Sequence, residues 1–267
     1  MTQTIDHEQA VVLERRAGIA TMLLNRPARL NAMSTAVWRG IAEAARAADA
    51  DPEIGVVLIR GTGRAAFSAG ADIGEFEEQR STPERALAYA RLVHEAMEAL
   101  VAIRQPLIAM IYGYCIGGGC EVAVCADLRI AAEDSVFGIP AARIGLGVAM
   151  EDVQRLVDLV GPSNAKLILF AGQRFSARRA QEMGLVTELV PPDDLERHTY
   201  QLAEAINQAA PTAVRWAKEA VGAVLRDPSL ADHPDRAERA ASLFATEDFL
   251  EGVRAFMQKR EPRFTGR

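Results

Sequence analysis

The sequence predicts an α/β protein with mainly parallel strand pairing. Three observations carry this expectation: short β-rich apolar runs alternate with helix-period segments, glycine turns follow strand ends, and beyond about residue 195 almost all signal is helical. At 267 residues the chain exceeds the usual single-domain size. The change of pattern divides it into residues 1–195 and a helical part, 196–267.

The runs 11–15 and 19–24 flank Ala17-Gly18 and read as a hairpin, and Asn25-Arg26-Pro27 then breaks the chain. Ser34 is placed to cap a helix carrying Val37, Ile41 and Ala44 on one face, closed by Asp51-Pro52. A buried-type strand at 56–60 leads into Gly61-Thr62-Gly63. A long amphipathic helix over about 83–103 precedes Pro106 and an apolar strand at 107–112. A glycine turn, an apolar helix at 120–126 and a strand at 128–131 follow. Past residue 195, Pro211, Pro228 and Pro234 interrupt a helical region expected to pack on the core or on a neighbouring subunit.

Composition narrows the function. With 49% hydrophobic and 25% charged residues, the chain has material for a sizeable core and the balance of a soluble globular protein. A net charge of −6 argues against a broad nucleic-acid surface. Cys115, Cys120 and Cys125 form no CxxC pair and lack a histidine cluster, so no metal site is expected; they read as small buried thiols in a reducing compartment. The first ten residues lack the basic and apolar regions of a secretory leader, and no apolar run is long enough to cross a membrane. A cytoplasmic protein is expected.

The densest chemical signal is Ile111-Tyr-Gly-Tyr-Cys-Ile-Gly117-Gly118-Gly119-Cys120-Glu121, a strand running through three glycines into a helix. Glycines allow close approach of a ligand to the main chain, and the helix start offers unpaired N–H groups to an anion. The absence of a following Gly-Lys-Ser/Thr and of GxGxxG spacing disfavours a nucleotide phosphate and leaves a developing oxyanion, or a turn that merely packs tightly. Glu121 is an unusual charge in an apolar helix. It suits proton transfer, or alternatively complements the helix dipole. A second strand-ending turn, Phe67-Ser-Ala-Gly-Ala-Asp-Ile73, could face the first across a crevice; Asp72 there could also simply cap the next helix.

These segments resemble consecutive motifs of the enoyl-CoA hydratase/isomerase (crotonase) superfamily. The resemblance adds Leu24-Asn-Arg-Pro-Ala-Arg-Leu-Asn31, Phe137-Gly-Ile-Pro, Gln154-Arg-Leu, Ala180-Gln-Glu-Met-Gly-Leu-Val and Phe256-Met-Gln-Lys-Arg260, in family order from near residue 11 to near 260. It implies a repeated ββα spiral core that binds acyl-CoA, with a C-terminal helical region assembling homotrimers or hexamers. It also implies a lyase that stabilises a thioester enolate, coenzyme A being part of the substrate and no separate cofactor or metal being needed. Carried over by position, the oxyanion-hole amides fall on Ala71 and Gly118, and the catalytic carboxylate on Glu121. Arg29, Leu30, Ala69, Gly70, Asp72, Ile73 and Gly117 fall on segments that contact CoA or its acyl chain. Lys259 matches a lysine near the CoA phosphates, or is a solvated surface cation.

The chain departs from the family pattern at the second hydratase glutamate, where Ala141 stands. Either Glu121 acts alone, or Glu151 or Asp152 at the next helix start replaces the missing acid, or the enolate chemistry is decarboxylation, isomerisation or C–C cleavage. Glu151 and Asp152 also suit a helix N-terminus for its dipole alone. Ala141 removes the usual isomerase carboxylate, and Ala149 stands where related dehalogenases carry their nucleophile. His94, on the helix that lines the acyl pocket in the family, is then expected to be structural or exposed. Arg143 could bind a substrate carboxylate or serve surface packing. A catalytically weak acyl-CoA-binding protein is a further reading. RNA binding fits poorly with the acidic charge, and a serine hydrolase with the lack of GxSxG around Ser68.

Overall fold

The computed structural model describes residues 9–267; the reading of the N-terminus as lacking a leader rests mainly on residues 1–8, outside the described residues. Strands β1 (Val11–Arg16) and β2 (Ile19–Leu24) form the expected antiparallel hairpin. Helix α1 (Thr35–Ala50) starts where Ser34 Oγ accepts the Val37 N–H at 3.3 Å, and Val37, Ile41 and Ala44 lie on its buried face.

The next rounds repeat one plan. Strands β3 (Val56–Gly61) and β4 (Ala66–Ser68) lead into helices α2 (Ile73–Gln79) and α3 (Pro83–Val101). Strands β5 (Leu107–Ile111) and β6 (Tyr114–Ile116) lead into α4 (Gly118–Val124). Strands β7 (Leu128–Ala132) and β8 (Val136–Gly138) lead into α5 (Met150–Ala171), which bends at Gly161-Pro162. The last turn is β9 (Phe175–Ser176), α6 (Ala177–Glu182) and β10 (Glu188–Val190).

Each ββα round thus deposits one strand in a six-stranded sheet of order β1-β2-β3-β5-β7-β10 and one in a four-stranded sheet of order β4-β6-β8-β9. Pairing is parallel except for β1 with β2 and β8 with β9. This is the repeated ββα spiral that the motif order implied. The boundaries shift slightly: the strand expected at 107–112 ends at Ile111, and the helix expected from 120 begins at Gly118.

The large sheet is buried on both faces, which is why its strands read as continuous apolar runs. Met22, Leu24, Val57, Ile59, Ala109 and Ile111 point into the main core, shared with α1, α3, α4 and α5. The alternate residues, among them Val56, Leu58, Ile108 and Met110, meet α7 (Leu195–Asn207), whose Leu195 and Ala203 are buried against them. Thr21 Oγ1 and Tyr200 Oη, 2.9 Å apart, pin that helix.

Helices α8 (Pro211–Arg226), α9 (Arg236–Ser242) and α10 (Glu247–Gln258) complete the chain. The buried Asp248 accepts hydrogen bonds from Thr212 Oγ1, Thr265 N and Gly266 N and so joins α8, α10 and the C-terminal tail. No described helix is long and apolar enough to cross a membrane.

The turn after β2 is locked by Asn31, buried with φ 54°. Its Oδ1 accepts the Arg26 N–H at 3.1 Å, and its Nδ2 donates to Thr62 O at 3.1 Å and Ala66 O at 2.8 Å. Replacing Asn31 by Ala removes the side-chain partner of three backbone groups, Ala66 O buried and Arg26 N and Thr62 O partly so. Asn31→Ala is expected to lower stability by about 2–4 kcal/mol in urea denaturation; a change within about 0.5 kcal/mol would show that water takes over these bonds.

Candidate active site

Adjacent parallel strands β4 and β6 end in the two glycine turns singled out in the sequence, and the turns touch. A Cβ placed on Gly70 would lie 2.9 Å from Ile116 O, and one on Gly119 would lie 2.6 Å from Ser68 Cβ, so α4 can lie against β4 only without a side chain there. Gly117, at φ 53° and ψ −126°, makes the reversal into α4 and donates its N–H to Gly138 O at 2.8 Å.

The main chain of the first turn is fixed by its neighbours. Ala69 N–H donates to Leu30 O at 2.9 Å, Met33 N–H to Gly70 O at 2.7 Å, and Asp72 N–H to Met33 O at 3.0 Å. These bonds make Ala71 the partner of Met33 in a parallel bridge and turn the Ala71 N–H to the other side. That N–H has no acceptor among the described residues. Nor has the N–H of Gly118, the first residue of α4, whose ladder opens with Glu121 N–H donating to Gly117 O at 3.0 Å. The structure therefore presents two half-buried, unpaired amides from touching turns.

Glu121 lies one turn into α4, half-buried, its carboxyl group without a hydrogen-bond partner among the described residues. Burial pushes its pKa up to about 7, the negative charge of Asp152 pushes the same way, and Arg80 opposes both. Asp152 is buried in the first turn of α5. Burial raises its pKa as well, against the pull of Arg155, whose Nη1 donates to Asp152 Oδ1 at 2.7 Å and whose other arm bonds Glu98. Of the two acids at that helix start, only Asp152 turns inward; Glu151 is exposed. Ala141 opens a short 3-10 turn, Ala141–Ile144.

The other expected site residues divide. Leu30 and Ile73 are apolar yet 38% and 82% exposed, and with the exposed Arg29 they border the first turn. Asp72 is already committed: it pairs with Arg26 Nη2 at 2.8 Å, which holds its carboxyl below the usual range, and caps α2 by accepting the Gly74 N–H at 3.0 Å. Arg143 donates through Nε to Ala171 O and Gly172 O, closing the end of α5. His94 is exposed on α3, and its positive form acts on Asp152. Lys259 ends α10 with φ 52°, exposed and without an ion pair among the described residues. Among those residues no group of three or more His, Cys, Asp or Glu side chains is arranged to hold a metal ion.

Sequence reasoning missed the wall beside Gly118. Trp38 of α1 packs there, a Cβ on Gly118 lying 3.1 Å from Trp38 Cζ2, and its Nε1–H donates to Tyr89 Oη at 2.9 Å. Tyr89 in turn stacks with Arg80. Helices α1 and α3 meet only in the folded chain, and no local motif signals that pairing.

A family model described as enoyl-CoA hydratase/isomerase matches residues 14–267. The chain belongs to the enoyl-CoA hydratase/isomerase family. A probable enoyl-CoA hydratase of Mycobacterium tuberculosis is 37% identical over 260 residues, covering 97% of this chain and 99% of the relative. The 2,3-dehydroadipyl-CoA hydratase of Escherichia coli is 34% identical over 257 residues, covering 96% and 99%. A crystal structure from Magnetospirillum magneticum, described as an enoyl-CoA hydratase/carnithine racemase, superposes with a TM-score of 0.93 at 38% identity, covering 97% of this chain and 96% of that one. The architecture of this family member is accordingly the crotonase fold.

The raised pKa of Glu121 has a consequence for stability. The native state holds this proton more tightly than the unfolded chain does, so stability falls as pH rises from about 4.5 through about 7. Glu121→Gln removes that cost. The variant is expected to be more stable than the parent by about 1–2 kcal/mol at pH 8 and to converge with it near pH 4.5. Thermal denaturation at the two pH values checks this, and an advantage that is the same at both would contradict it.

Proposed function

We propose that this family member adds water to an α,β-unsaturated acyl-CoA. The observation that carries the reading is the union, around two unpaired amides, of Glu121 with a second carboxylate, Asp152, supplied from α5 rather than from the position held by Ala141. The Ala71 and Gly118 N–H groups receive the thioester oxygen and stabilise the negative charge that grows on it. A single donor of this kind is worth about 3–4 kcal/mol in the transition state.

The two carboxylates divide the proton work. Asp152, held by Arg155, is the anionic member and takes a proton from water as the oxygen bonds to Cβ. The π electrons of the Cα–Cβ bond move into the thioester, giving the enolate. Glu121, protonated up to about pH 7, delivers its proton to Cα as the carbonyl reforms. Passage of the proton from Asp152 to Glu121 restores the starting state. Hydration involves no redox change, so no cofactor beyond the CoA of the substrate is required. Leu30, Ile73 and Arg29 are the surfaces proposed to meet CoA.

Glu121→Gln is expected to lower kcat on crotonyl-CoA by at least about 10³-fold with acyl-CoA affinity retained in calorimetry, and Asp152→Asn by about 10²-fold or more. The kcat/KM of the parent is expected to fall as pH rises above about 7, as Glu121 loses its proton. A fully active Glu121→Gln enzyme would sink the assignment. A rate that instead falls with acid would reverse the two carboxylate roles.

We also infer that the chain works as a homo-oligomer in the cytoplasm. Phe244, Leu250, Val253, Phe256 and Met257 of the last helical segments are exposed apolar side chains, a surface suited to a second copy. The three cysteines are buried and unpaired, in keeping with a reducing compartment. Light scattering is expected to return a trimer or hexamer; a monomer at micromolar concentration would refute the oligomer.

A further inference from the structure

Arg80 ends α2 with its guanidinium held against two rings, its Cζ lying 4.0 Å from the Phe76 ring centroid and 4.7 Å from that of Tyr89. It is half-buried, and among the described residues its side chain makes no hydrogen bond and no ion pair. Two neighbouring arginines are engaged: Arg26 with Asp72, and Arg155 with Asp152 and Glu98. Glu75 of α2 accepts instead from Thr35 N at 2.7 Å and Thr35 Oγ1 at 2.9 Å. Stacking fixes the plane of the guanidinium but leaves its edge, with the N–H donors, free.

The position of this cation gives it a use. Gly118, Trp38, Tyr89 and Arg80 follow one another in contact, so an aromatic wall leads from one of the two unpaired amides to the guanidinium. A thioester seated on that amide would lay its acyl chain along an apolar surface ending in an unpaired positive charge. A planar fork of donors at such a place matches a carboxylate, which it binds with two parallel hydrogen bonds.

We propose that Arg80 is a specificity-determining residue that receives a carboxylate at the far end of the acyl group, making the substrates enoyl-CoA thioesters of dicarboxylic acids. The proposal rests on the hydratase reading of the same site. A different role for Arg80, tuning Glu121 through its charge, would act on every substrate alike.

The test uses matched pairs of trans-2-enoyl-CoA thioesters, five to eight carbons long, ending in either a methyl group or a carboxylate. For at least one length the parent enzyme is expected to favour the carboxylate member by roughly tenfold or more in kcat/KM. Arg80→Met is expected to lower the ratio of kcat/KM for the carboxylate member to that for its methyl-ended partner by about 30-fold, chiefly through the KM of the carboxylate member; any change passed through Glu121 is common to both and cancels in the ratio. Arg80→Lys restores part of the preference.

Calorimetry with the saturated counterparts, hexanoyl-CoA and hexanedioyl-CoA among them, reads the same preference without turnover. If the preference persists in binding but no enoyl thioester is hydrated, the hydratase reading fails and the carboxylate site stands. If the parent shows no preference at any length, or Arg80→Met weakens both members of each pair equally, the proposal is overturned.

Discussion

Two backbone turns in direct contact set the geometry on which this molecule depends. Gly70 passes the carbonyl of Ile116, and Gly119 lies against Ser68, at separations that leave no room for a side chain. Any Cβ at these points would wedge β4 from β6 and move the Ala71 and Gly118 amides apart. The spiral makes this contact possible. Because every ββα round adds one strand to the small sheet, residues distant in sequence end on neighbouring strands with their turns at the same edge. The hydrogen bonds of the 69–72 segment with Leu30 and Met33 then fix which N–H remains free.

Around that frame, charge is placed against the interests of stability. Glu121 and Asp152 are both raised in pKa by burial, and the charge of Asp152 makes Glu121 harder still to ionise. Arg155 relieves Asp152 and is itself anchored by Glu98 on α3, so α3 and α5 jointly hold the second carboxylate. The family pattern locates that acid after the Phe137-Gly-Ile-Pro segment. In the hydratase reading proposed above, the start of α5 supplies it instead, through Asp152.

The C-terminal region has two characters. Helix α7 closes the outer face of the large sheet and belongs to the packing of the spiral. Helices α8 and α10 are tied together by Asp248, and the last helical segments keep large apolar side chains in contact with water. The buried aspartate gives these helices a fixed arrangement, without which an exposed apolar row would not form one consistent surface.

Hydrophobic period alone made β1, β2, α1, β3, α3, β5 and β7 legible, because each buries a repeating face or a whole strand in one core. The three-residue strands of the small sheet carry no period and were not read as elements; the motif order had to supply them. The glycine turns and Glu121 are likewise written in the sequence, since backbone conformations open only to glycine and a charge within an apolar helix are local facts; the missing acid at Ala141 is legible only against the family pattern that the chain resembles. What the sequence left open was decided by tertiary structure. Glu151 and Asp152 are neighbours with similar helix-start chemistry, and only the packing of α5 on α4 turns one to water and the other toward Glu121. Asp72 and Arg143 looked available until their partners Arg26 and the end of α5 arrived from elsewhere in the chain. Arg80 carried no motif at all, because its meaning lies in the two rings it lies against and in the lack of an ion pair to it among the described residues. Sequence determines which groups exist and which local conformations they permit; the pairing of charges across helices depends on distances that only the folded chain sets.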